Sequence, residues 1–198
     1  MDNREKEIII VEFNQEGYEK WVKDFKKRNP KKRKLYVDGV MCRSLNKMLV
    51  IQNRIVQNTY KQAYKDYGKF IVEEYNGLKD LGISSADLEI KFTFPTRVRH
   101  DLDNYIGGVK EVMDAFTESG LIVEDNYFII HSIKATAEYE KGVSKMIFTF
   151  KNCEFDKEAL KVQQEKEAKR EEKREATIKQ NKLKKSKKKT TIKNNKTK

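Results

Sequence analysis

Cysteine, histidine and proline are scarce in this 198-residue chain, which contains two of each. Cys42 and Cys153 lie far apart in the sequence, so we expect neither a disulfide framework nor a zinc site of clustered Cys and His. Two distant cysteines and an N-terminal sequence without targeting features favour a reducing, cytoplasmic environment. No apolar run approaches the length of about 18 residues that a transmembrane helix needs, so no membrane partner is expected.

Acidic residues are missing from the C-terminal segment. Residues 179–198 contain ten Lys and no Asp or Glu. Subtracting these ten charges from the net charge of +12 leaves +2 for residues 1–178. The positive charge favours a polyanionic partner, and a lysine-rich tail can bind DNA by releasing counterions. The alternative is a tail that only solubilises the chain, and in either case we expect it to be disordered.

The first 34 residues predict a strand, a helix and a basic linker. The β-branched run over residues 7–13 is typical of a strand, and Tyr18, Trp21 and Phe25 then recur at helical spacing. Residues 26–34 hold seven basic residues in nine, which predicts either a phosphate-contacting loop or a solvated linker. The DNA-binding candidates in this segment are Lys31, Lys32 and Arg33.

Apolar residues recur at helical spacing from Leu45 to Ile71 and predict one long helix. Tyrosines at this spacing favour places in the core, and stacking on nucleic-acid bases is the alternative. Residues 88–94 alternate between apolar and polar and predict a strand whose even-numbered side chains face inward. A second helix is predicted next, followed by strands near residues 128–137 and 146–150 with a hairpin connection between them.

These elements predict an α/β (α+β) fold, in which a small mixed sheet is packed by the long helix and by the second helix after an acidic loop. The predicted organisation has three parts: an N-terminal βα extension with its basic linker over residues 1–34, a main domain over 35–155, and a charged segment over 156–198. Seven acidic and seven basic residues in 156–178 predict an exposed helix stabilised by i,i+4 pairs.

The acidic loop between the strand and the second helix contains the main candidates for chemistry. Asp101 and Asp103 lie two residues apart in this loop, and Arg97 and Arg99 precede them. Continued past the strand, the alternation gives all four residues the same outward parity. The pair Glu124-Asp125 comes after the second helix, and we expect that helix to fold back over the sheet and bring the pair to the loop.

Clustered carboxylates suit Mg²⁺, which prefers oxygen ligands, and they repel one another unless a cation is present. A divalent cation can activate water and neutralise charge during phosphodiester hydrolysis. The pattern therefore predicts a Mg²⁺ site, for which Mn²⁺ can substitute, at Asp101, Asp103, Glu124 and Asp125. The alternative is a solvated turn in which Asp103 or its neighbour Asn104 caps the helix.

Two further features lie in the second helix. Lys110 is about two turns beyond Asp103, where it either neutralises phosphate charge or forms an ordinary surface pair with Asp114 at i+4. Gly107-Gly108 weakens the helix by roughly 1 kcal/mol per glycine relative to Ala. Such a pair either permits close approach of DNA or a partner, or marks a locally distorted first turn.

The acidic loop and the segments after it resemble the RusA family of Holliday junction resolvases. That family shows a basic stretch running into Asp-Leu-Asp-Asn, a helix with a Lys and an Asp-Ala-Leu segment, and then a Gly and an acidic pair before a strand. The resemblance is specific over about residues 88–137 and looser over 35–155. The matching segments are 97–104, Lys110, Asp114-Ala115-Phe116, Gly120-Leu121 and Glu124-Asp125-Asn126. Lys110 matches only with three residues inserted after Asn104, and Glu124 stands where Asp is usual.

The resemblance implies a small α/β homodimer, of bacterial or phage origin, that nicks two strands symmetrically at a four-way DNA junction with Mg²⁺. Asp101 and Asp103 match the family's two metal-binding aspartates, Asp125 matches the third, and Lys110 matches the catalytic lysine. Two alternatives stay open. One is a nuclease of the same fold that prefers flaps or other branched DNA, and the other is a non-catalytic nucleic-acid-binding protein that depends on its basic tail.

Overall fold

The computed structural model describes residues 7–32 and 34–194, and it describes side chains up to residue 178. The chain divides into two compact units, Met1–Leu160 and Lys161–Lys198. The predicted candidate Arg33 and the end of the Lys-rich tail, residues 195–198, lie outside the described residues.

Within the described residues, four strands form one mixed sheet in the order β1-β4-β2-β3. β4 pairs antiparallel with both β1 and β2, whereas β2 and β3 run parallel. The strand bounds are Glu7–Phe13 for β1, Ile83–Phe94 for β2, Ile130–Tyr139 for β3 and Lys145–Phe155 for β4. The predicted α+β class with a small mixed sheet is confirmed.

The N-terminal βα unit belongs to the same core as the rest of the domain. β1 is an edge strand of the sheet, and its side chains Val11 and Phe13 are fully buried. The helix α1, Gln15–Arg28, buries Trp21 against Tyr67 with 5.1 Å between ring centroids. Burial of large aromatic side chains contributes several kcal/mol to the stability of a fold. The N-terminal βα unit is therefore part of the core of the domain and not an extension outside it.

The predicted hairpin between the last two strands is wrong, because β2 lies between β3 and β4 in the sheet. The connection instead passes over the end of β2, where the Glu140 backbone N–H donates to the Phe94 carbonyl and the Gly142 N–H donates to the Pro95 carbonyl. Consecutive strands usually pair, and the short connection suggested such a pair. The helical connection after β2 returns the chain to the edge of β2 that β4 does not occupy. β3 pairs there in parallel with β2.

The predicted long helix is divided. α2 covers Leu45–Leu49 and α3 covers Arg54–Phe70, which continues into a π-helical turn over Ile71–Tyr75. Asn53 begins α3, because its side-chain oxygen accepts hydrogen bonds from the Ile55 and Val56 backbone N–H groups. The second predicted helix is also divided, into α4 over Leu102–Gly108 and α5 over Lys110–Glu118.

One face of the sheet packs on α3 and α5, and α1 packs in turn on α3. The even-numbered residues Leu88, Ile90 and Phe92 of β2 are buried as predicted. Phe116 of α5 packs edge-on against Phe148 of β4, with 5.1 Å between the ring centroids. The tyrosine stripe of α3 supplies Tyr64 and Tyr67 to the same core, so the prediction that this stripe is a packing face is confirmed.

The described residues of the C-terminal unit are helical. α6 covers Lys157–Asn194 and therefore continues beyond the predicted end at residue 178 into the segment expected to be disordered. Asp156 begins it, because its carboxylate accepts hydrogen bonds from the Glu158 and Ala159 backbone N–H groups. Eight of the 16 residues in 179–194 are Lys, which has high helix propensity and favours the extension. Among the described residues, no helix combines the length and the apolar character that crossing a bilayer requires.

Removal of one buried hydroxyl should stabilise the protein. Tyr67 is fully buried, and in the part of the chain that the structure describes its hydroxyl has no hydrogen-bond partner. We expect Tyr67→Phe to raise the free energy of unfolding by about 1 kcal/mol in urea titrations, since an unsatisfied buried polar group is destabilising. Tyr64→Phe is the matched control and should lower it, because the Tyr64 hydroxyl donates to Asp38 at 2.9 Å.

Burial also predicts alkaline destabilisation. It raises the pKa of the Tyr64 and Tyr67 phenols and raises the pKa of the Cys42 thiol to about 12. These groups ionise in the unfolded chain near their ordinary values of 9.0 for Cys and 10.0 for Tyr. Their contribution to stability is therefore complete below about pH 9 and is lost as pH rises. Urea titrations from pH 7 to 11 should show this decrease, and a shallower one in Tyr67→Phe.

Candidate acidic site

The acidic loop begins where β2 ends. Residues 95–101 form no regular element between β2 and α4. The loop is anchored by His100, whose ring stacks on Phe94 with 4.1 Å between centroids, and by Tyr105, whose ring meets Phe94 edge-on at 4.9 Å. This aromatic contact fixes Asp101, the next residue, at the C-terminal end of β2.

Asp101 and Asp103 are exposed and carry almost no internal contacts. Asp101 is the N-cap residue of α4, but its side chain makes no capping hydrogen bond. Its carboxylate accepts only a 3.4 Å hydrogen bond from the Asn104 amide, and Asp103 forms no ion pair within the described ranges. The alternative in which Asp103 or Asn104 caps the helix is wrong, because both residues lie within α4 and its N-cap residue is Asp101.

The two predicted arginines flank these carboxylates without neutralising them. Neither Arg97 nor Arg99 forms an ion pair with any residue that the structure describes, and both are exposed. The guanidinium of Arg97 lies over the ring of Tyr139 at 5.0 Å from its centroid. An arginine held on an aromatic face keeps its N–H donors available for phosphate oxygens.

The acidic pair Glu124-Asp125 lies at the opposite end of β2. The Val123 N–H donates to the Ile83 carbonyl at 2.9 Å, and Ile122 forms a parallel bridge with Ile83. A few residues later the Ile129 carbonyl accepts from the Ala86 N–H at 2.7 Å. The acidic pair is therefore held beside the first residues of β2.

The expectation that the second helix returns Glu124-Asp125 to the loop is corrected by this topology. α4 and α5 do fold back along the sheet, and the Gly120 carbonyl then accepts from the Gly82 N–H at 2.9 Å. The helices thus travel the length of β2 and carry the pair away from Asp101. The part of β2 from Ala86 to Phe94 alone spans roughly 26 Å at about 3.3 Å per residue.

In one copy of the chain the four predicted acidic ligands therefore do not form one cluster. Across the described residues, no group of three or more His, Cys, Asp or Glu side chains is placed to hold a metal ion. The structure brings Asp101 and Asp103 together, and it brings Glu124 and Asp125 together, where the Glu124 carboxylate accepts a hydrogen bond from the Asn126 amide.

Lys110 occupies the first turn of α5 and points to solvent. Its ammonium lies 3.4 Å from the Asp114 carboxylate, and its side chain is 66% exposed. This is the surface pair that was the alternative to a catalytic role. Lys65 of α3 binds the same carboxylate at 2.9 Å, so Asp114 does not depend on Lys110 for its neutralisation.

A pocket of about 250 Å³ lies beside the acidic loop. Arg43 lines it together with Lys47, His100 and Tyr105. Sequence reasoning missed Arg43 and Lys47, because they belong to a segment with no distinctive pattern.

Arg43 lies at one end of a row in which two aromatic rings stand between two cations. Its guanidinium lies 4.3 Å from the centroid of the Tyr60 ring, Tyr60 meets Tyr36 edge-on at 5.0 Å, and the ammonium of Lys34 lies 5.0 Å from the Tyr36 centroid. We call these four residues the cation–aromatic row. It links the basic segment 26–34 to the pocket beside the acidic loop, and rings and cations in this order can contact bases and phosphates.

The remaining basic candidates follow α1. Lys31 is exposed, and the ammonium of Lys32 lies 5.6 Å from the centroid of the Phe25 ring. Arg28 is not available for DNA, because its guanidinium forms a two-pronged pair with Asp66 at 2.9 Å on each side. Within residues 26–34, Arg28 therefore binds α1 to α3, whereas Lys31 is exposed to solvent.

No protein-family model matches the chain, and no curated protein is detectably similar to it in sequence.

The glycine pair makes room for the chain's own backbone. A Cβ on Gly108 would collide with the carbonyl oxygen of Arg43, and one on Gly107 would press on the Leu45 side chain. We expect Gly108→Ala to lower the free energy of unfolding by about 1–3 kcal/mol, since Arg43 or α4 must move. Gly39→Ala is the control, because nothing lies within 4 Å of its added Cβ. Equal effects of the two substitutions in urea titrations would contradict this role of Gly108.

Proposed function

We propose that this protein is a metal-dependent endonuclease that cuts branched DNA, with the four-way junction as its substrate and Mg²⁺ as its cofactor. The supporting observation is the acidic loop, where Asp101 and Asp103 are exposed and, among the described residues, neither they nor the preceding Arg97 and Arg99 form an ion pair. Two adjacent carboxylates at a fixed strand end suit Mg²⁺, which is often bound by one or two carboxylates and retains several waters.

When bound, the cation would supply water activation and charge neutralisation for phosphodiester hydrolysis. The residues of the chain position the DNA. Arg97 and Arg99 would bind the phosphates on either side of the scissile bond, and the stacking of His100 on Phe94 holds the loop in place. Mn²⁺ would replace Mg²⁺ because both prefer oxygen ligands.

The cation–aromatic row gives the rest of the substrate a basic surface, and the tail is a separate source of DNA affinity. Arg43 and Lys34 carry positive charge along one surface toward the acidic loop, and ten lysines follow residue 178. Phosphate contacts of this kind supply affinity without reading sequence, as a nuclease directed by DNA shape requires.

A second candidate is a non-catalytic protein that binds branched DNA or RNA. The separation of Glu124-Asp125 from Asp101 and Asp103 in one copy favours it, because two carboxylates alone are a weaker cation site than three. The acidic loop would then be a solvated turn, and the basic surfaces would provide all of the activity.

Replacement of one carboxylate separates the two candidates. We expect Asp101→Asn to lower Mg²⁺-dependent cutting of a synthetic four-way junction by about 100-fold or more, since a bound metal contributes several kcal/mol to the transition state. Junction binding should be kept or tightened, because one negative charge near phosphate is removed. Glu154→Gln, which removes an exposed carboxylate elsewhere on the sheet, should cut normally. Wild-type protein that binds the junction and never cuts it with Mg²⁺ or Mn²⁺ would support the binder instead.

Deletion of residues 179–198 tests the role of the tail. Loss of its ten lysines should weaken DNA binding and reduce the slope of log K against log salt by several units, at about 0.9 per phosphate neutralised. Cutting at low salt and saturating protein should persist, since the acidic loop is unchanged. Filter binding at several salt concentrations, with a parallel cutting assay, measures both. Complete loss of cutting under saturating conditions would place the tail in the active machinery.

A further inference from the structure

The pocket beside the acidic loop combines charged groups with aromatic rings. Its volume is about 250 Å³. Pockets for drug-sized ligands measure roughly 300–1,000 Å³, so this one suits a smaller group such as a single nucleotide base. The chain before α3 supplies Asp38, Arg43 and Lys47, and the end of β2 with the acidic loop supplies Phe94 and His100. Polar groups that converge on a partly apolar cavity are typical of a ligand site.

The carboxylate of Asp38 is held in one direction and keeps free acceptor positions. Its Oδ1 atom accepts a 2.9 Å hydrogen bond from the hydroxyl of the buried Tyr64. Its Oδ2 atom lies 3.6 Å from the Arg43 guanidinium, which is longer than an ordinary hydrogen bond. An ionised carboxylate has about four lone-pair sites, and the Asp38 side chain is 70% exposed. Both oxygens can therefore accept hydrogen bonds from a ligand in the pocket.

Arg43 is fixed by contacts on its other sides. Its guanidinium lies over the Tyr60 ring at 4.3 Å from the centroid, and its Nε–H donates to the Lys47 carbonyl at 3.4 Å. The guanidinium has five N–H donors in all, so several remain for an anion. The exposed ammonium of Lys47 adds a second positive charge at the same pocket. The pocket thus places a carboxylate beside two cations, which fits a ligand with N–H donors at one end and a phosphate at the other.

Guanine is the base whose hydrogen-bonding edge matches a carboxylate. Its N1–H and N2–H donors lie side by side, so each can donate to one of the two carboxylate oxygens. Adenine, cytosine and thymine each place an acceptor atom next to the donor on that edge, and this acceptor repels the second carboxylate oxygen. A guanine nucleotide therefore matches Asp38 with its base and the two cations with its phosphate.

The acidic loop forms part of the wall of the pocket. Pro95, Thr96 and His100 belong to both, and Asp101 directly follows His100. A DNA strand with a phosphate at Asp101 would carry a neighbouring nucleotide past the pocket. Pairing within a duplex occupies the edge of guanine that a carboxylate binds, so the base must be unpaired to enter.

We propose that this pocket binds an unpaired guanine nucleotide, with Asp38 accepting hydrogen bonds from the base and with Arg43 and Lys47 contacting the phosphate. A DNA strand and a free nucleotide both offer this chemistry, and the loop that the pocket shares with Asp101 favours the strand. The pocket is inferred from its own contacts, whereas the DNA strand as the source of the guanine rests on the proposed nuclease function.

Equilibrium dialysis of the full chain against labelled deoxynucleoside monophosphates tests the pocket. We expect dGMP to bind about tenfold more tightly than dAMP, dCMP or dTMP, since two matched hydrogen bonds give discrimination of this order. The hypoxanthine nucleotide dIMP lacks the N2 amino group and should also bind about tenfold more weakly than dGMP. Asp38→Asn should lose the difference between dGMP and dIMP, because an amide offers one acceptor oxygen instead of two.

Two further variants separate recognition of the base from folding. Tyr64→Phe removes the hydrogen bond to Asp38 and keeps the carboxylate, so it should retain the preference for dGMP over dIMP. A Cβ on Gly39, which lines the pocket, meets nothing within 4 Å. Gly39→Leu should therefore occupy the pocket without disturbing the fold, checked by circular dichroism, and abolish nucleotide binding. Equal binding of dGMP and dIMP by the wild-type protein would overturn the proposal, and so would a preference that survives Asp38→Asn.

Junction cutting distinguishes the two sources of guanine. On four-way junctions that differ in one base beside the cut, the wild-type protein should cut the guanine strand about tenfold faster than the hypoxanthine strand. Asp38→Asn should cut the two strands at equal rates. Preferential dGMP binding with equal cutting of both strands by the wild-type protein would support the pocket and overturn the DNA strand as its ligand.

Failure of the pocket and failure of the nuclease function give different results. Preferential dGMP binding by a protein that never cuts junctions would support the pocket and contradict the nuclease function. Cutting without a base preference, by a protein that does not bind dGMP, would overturn the pocket and leave the nuclease function standing.

Discussion

The hydrogen bonding of β2 along both of its edges is the constraint on which the rest of the molecule depends. β4 takes one edge antiparallel, and β3 takes the other in parallel. Its inner side chains Leu88, Ile90 and Phe92 form the floor of the core. A parallel neighbour requires a crossover connection, and α4 with α5 provides it. The positions of the acidic loop and of the acidic pair follow from this arrangement.

Packing holds the acidic loop in place and leaves its carboxylates exposed. His100 and Tyr105 close over Phe94 at the end of β2, so the backbone of the loop is fixed by aromatic contacts rather than by its own carboxylates. The carboxylates of Asp101 and Asp103 are consequently left with very few contacts inside the protein. Side chains with few internal contacts are available for binding, and the proposed phosphate chemistry would gain from the fixed position of the loop.

The glycine pair Gly107-Gly108 makes room for other parts of the chain. Gly107 and Gly108 were candidates for a close approach of DNA, and the approach that the structure shows is that of Arg43 and Leu45. This contact fixes Arg43 beside the acidic loop, where its guanidinium also stacks on Tyr60. A packing requirement in α4 thereby positions a cation that the sequence pattern did not single out.

The sequence by itself determined most of the elements and their inward faces, although not the division of the two predicted helices. Alternation in β2 and helical spacing in α1 and α3 are local properties of neighbouring residues, and the buried residues Leu88, Trp21 and Tyr67 follow from them. It also determined that Asp101 and Asp103 are adjacent, because two residues of chain cannot separate them. Only the tertiary structure decided that β3 runs parallel to β2 and that β1 joins the main sheet. Strand order depends on pairings between distant segments, which leave no periodic signal in the chain. The distance between Asp101 and Asp125 was decided there as well, because it is set by the length of β2 and the direction of the crossover.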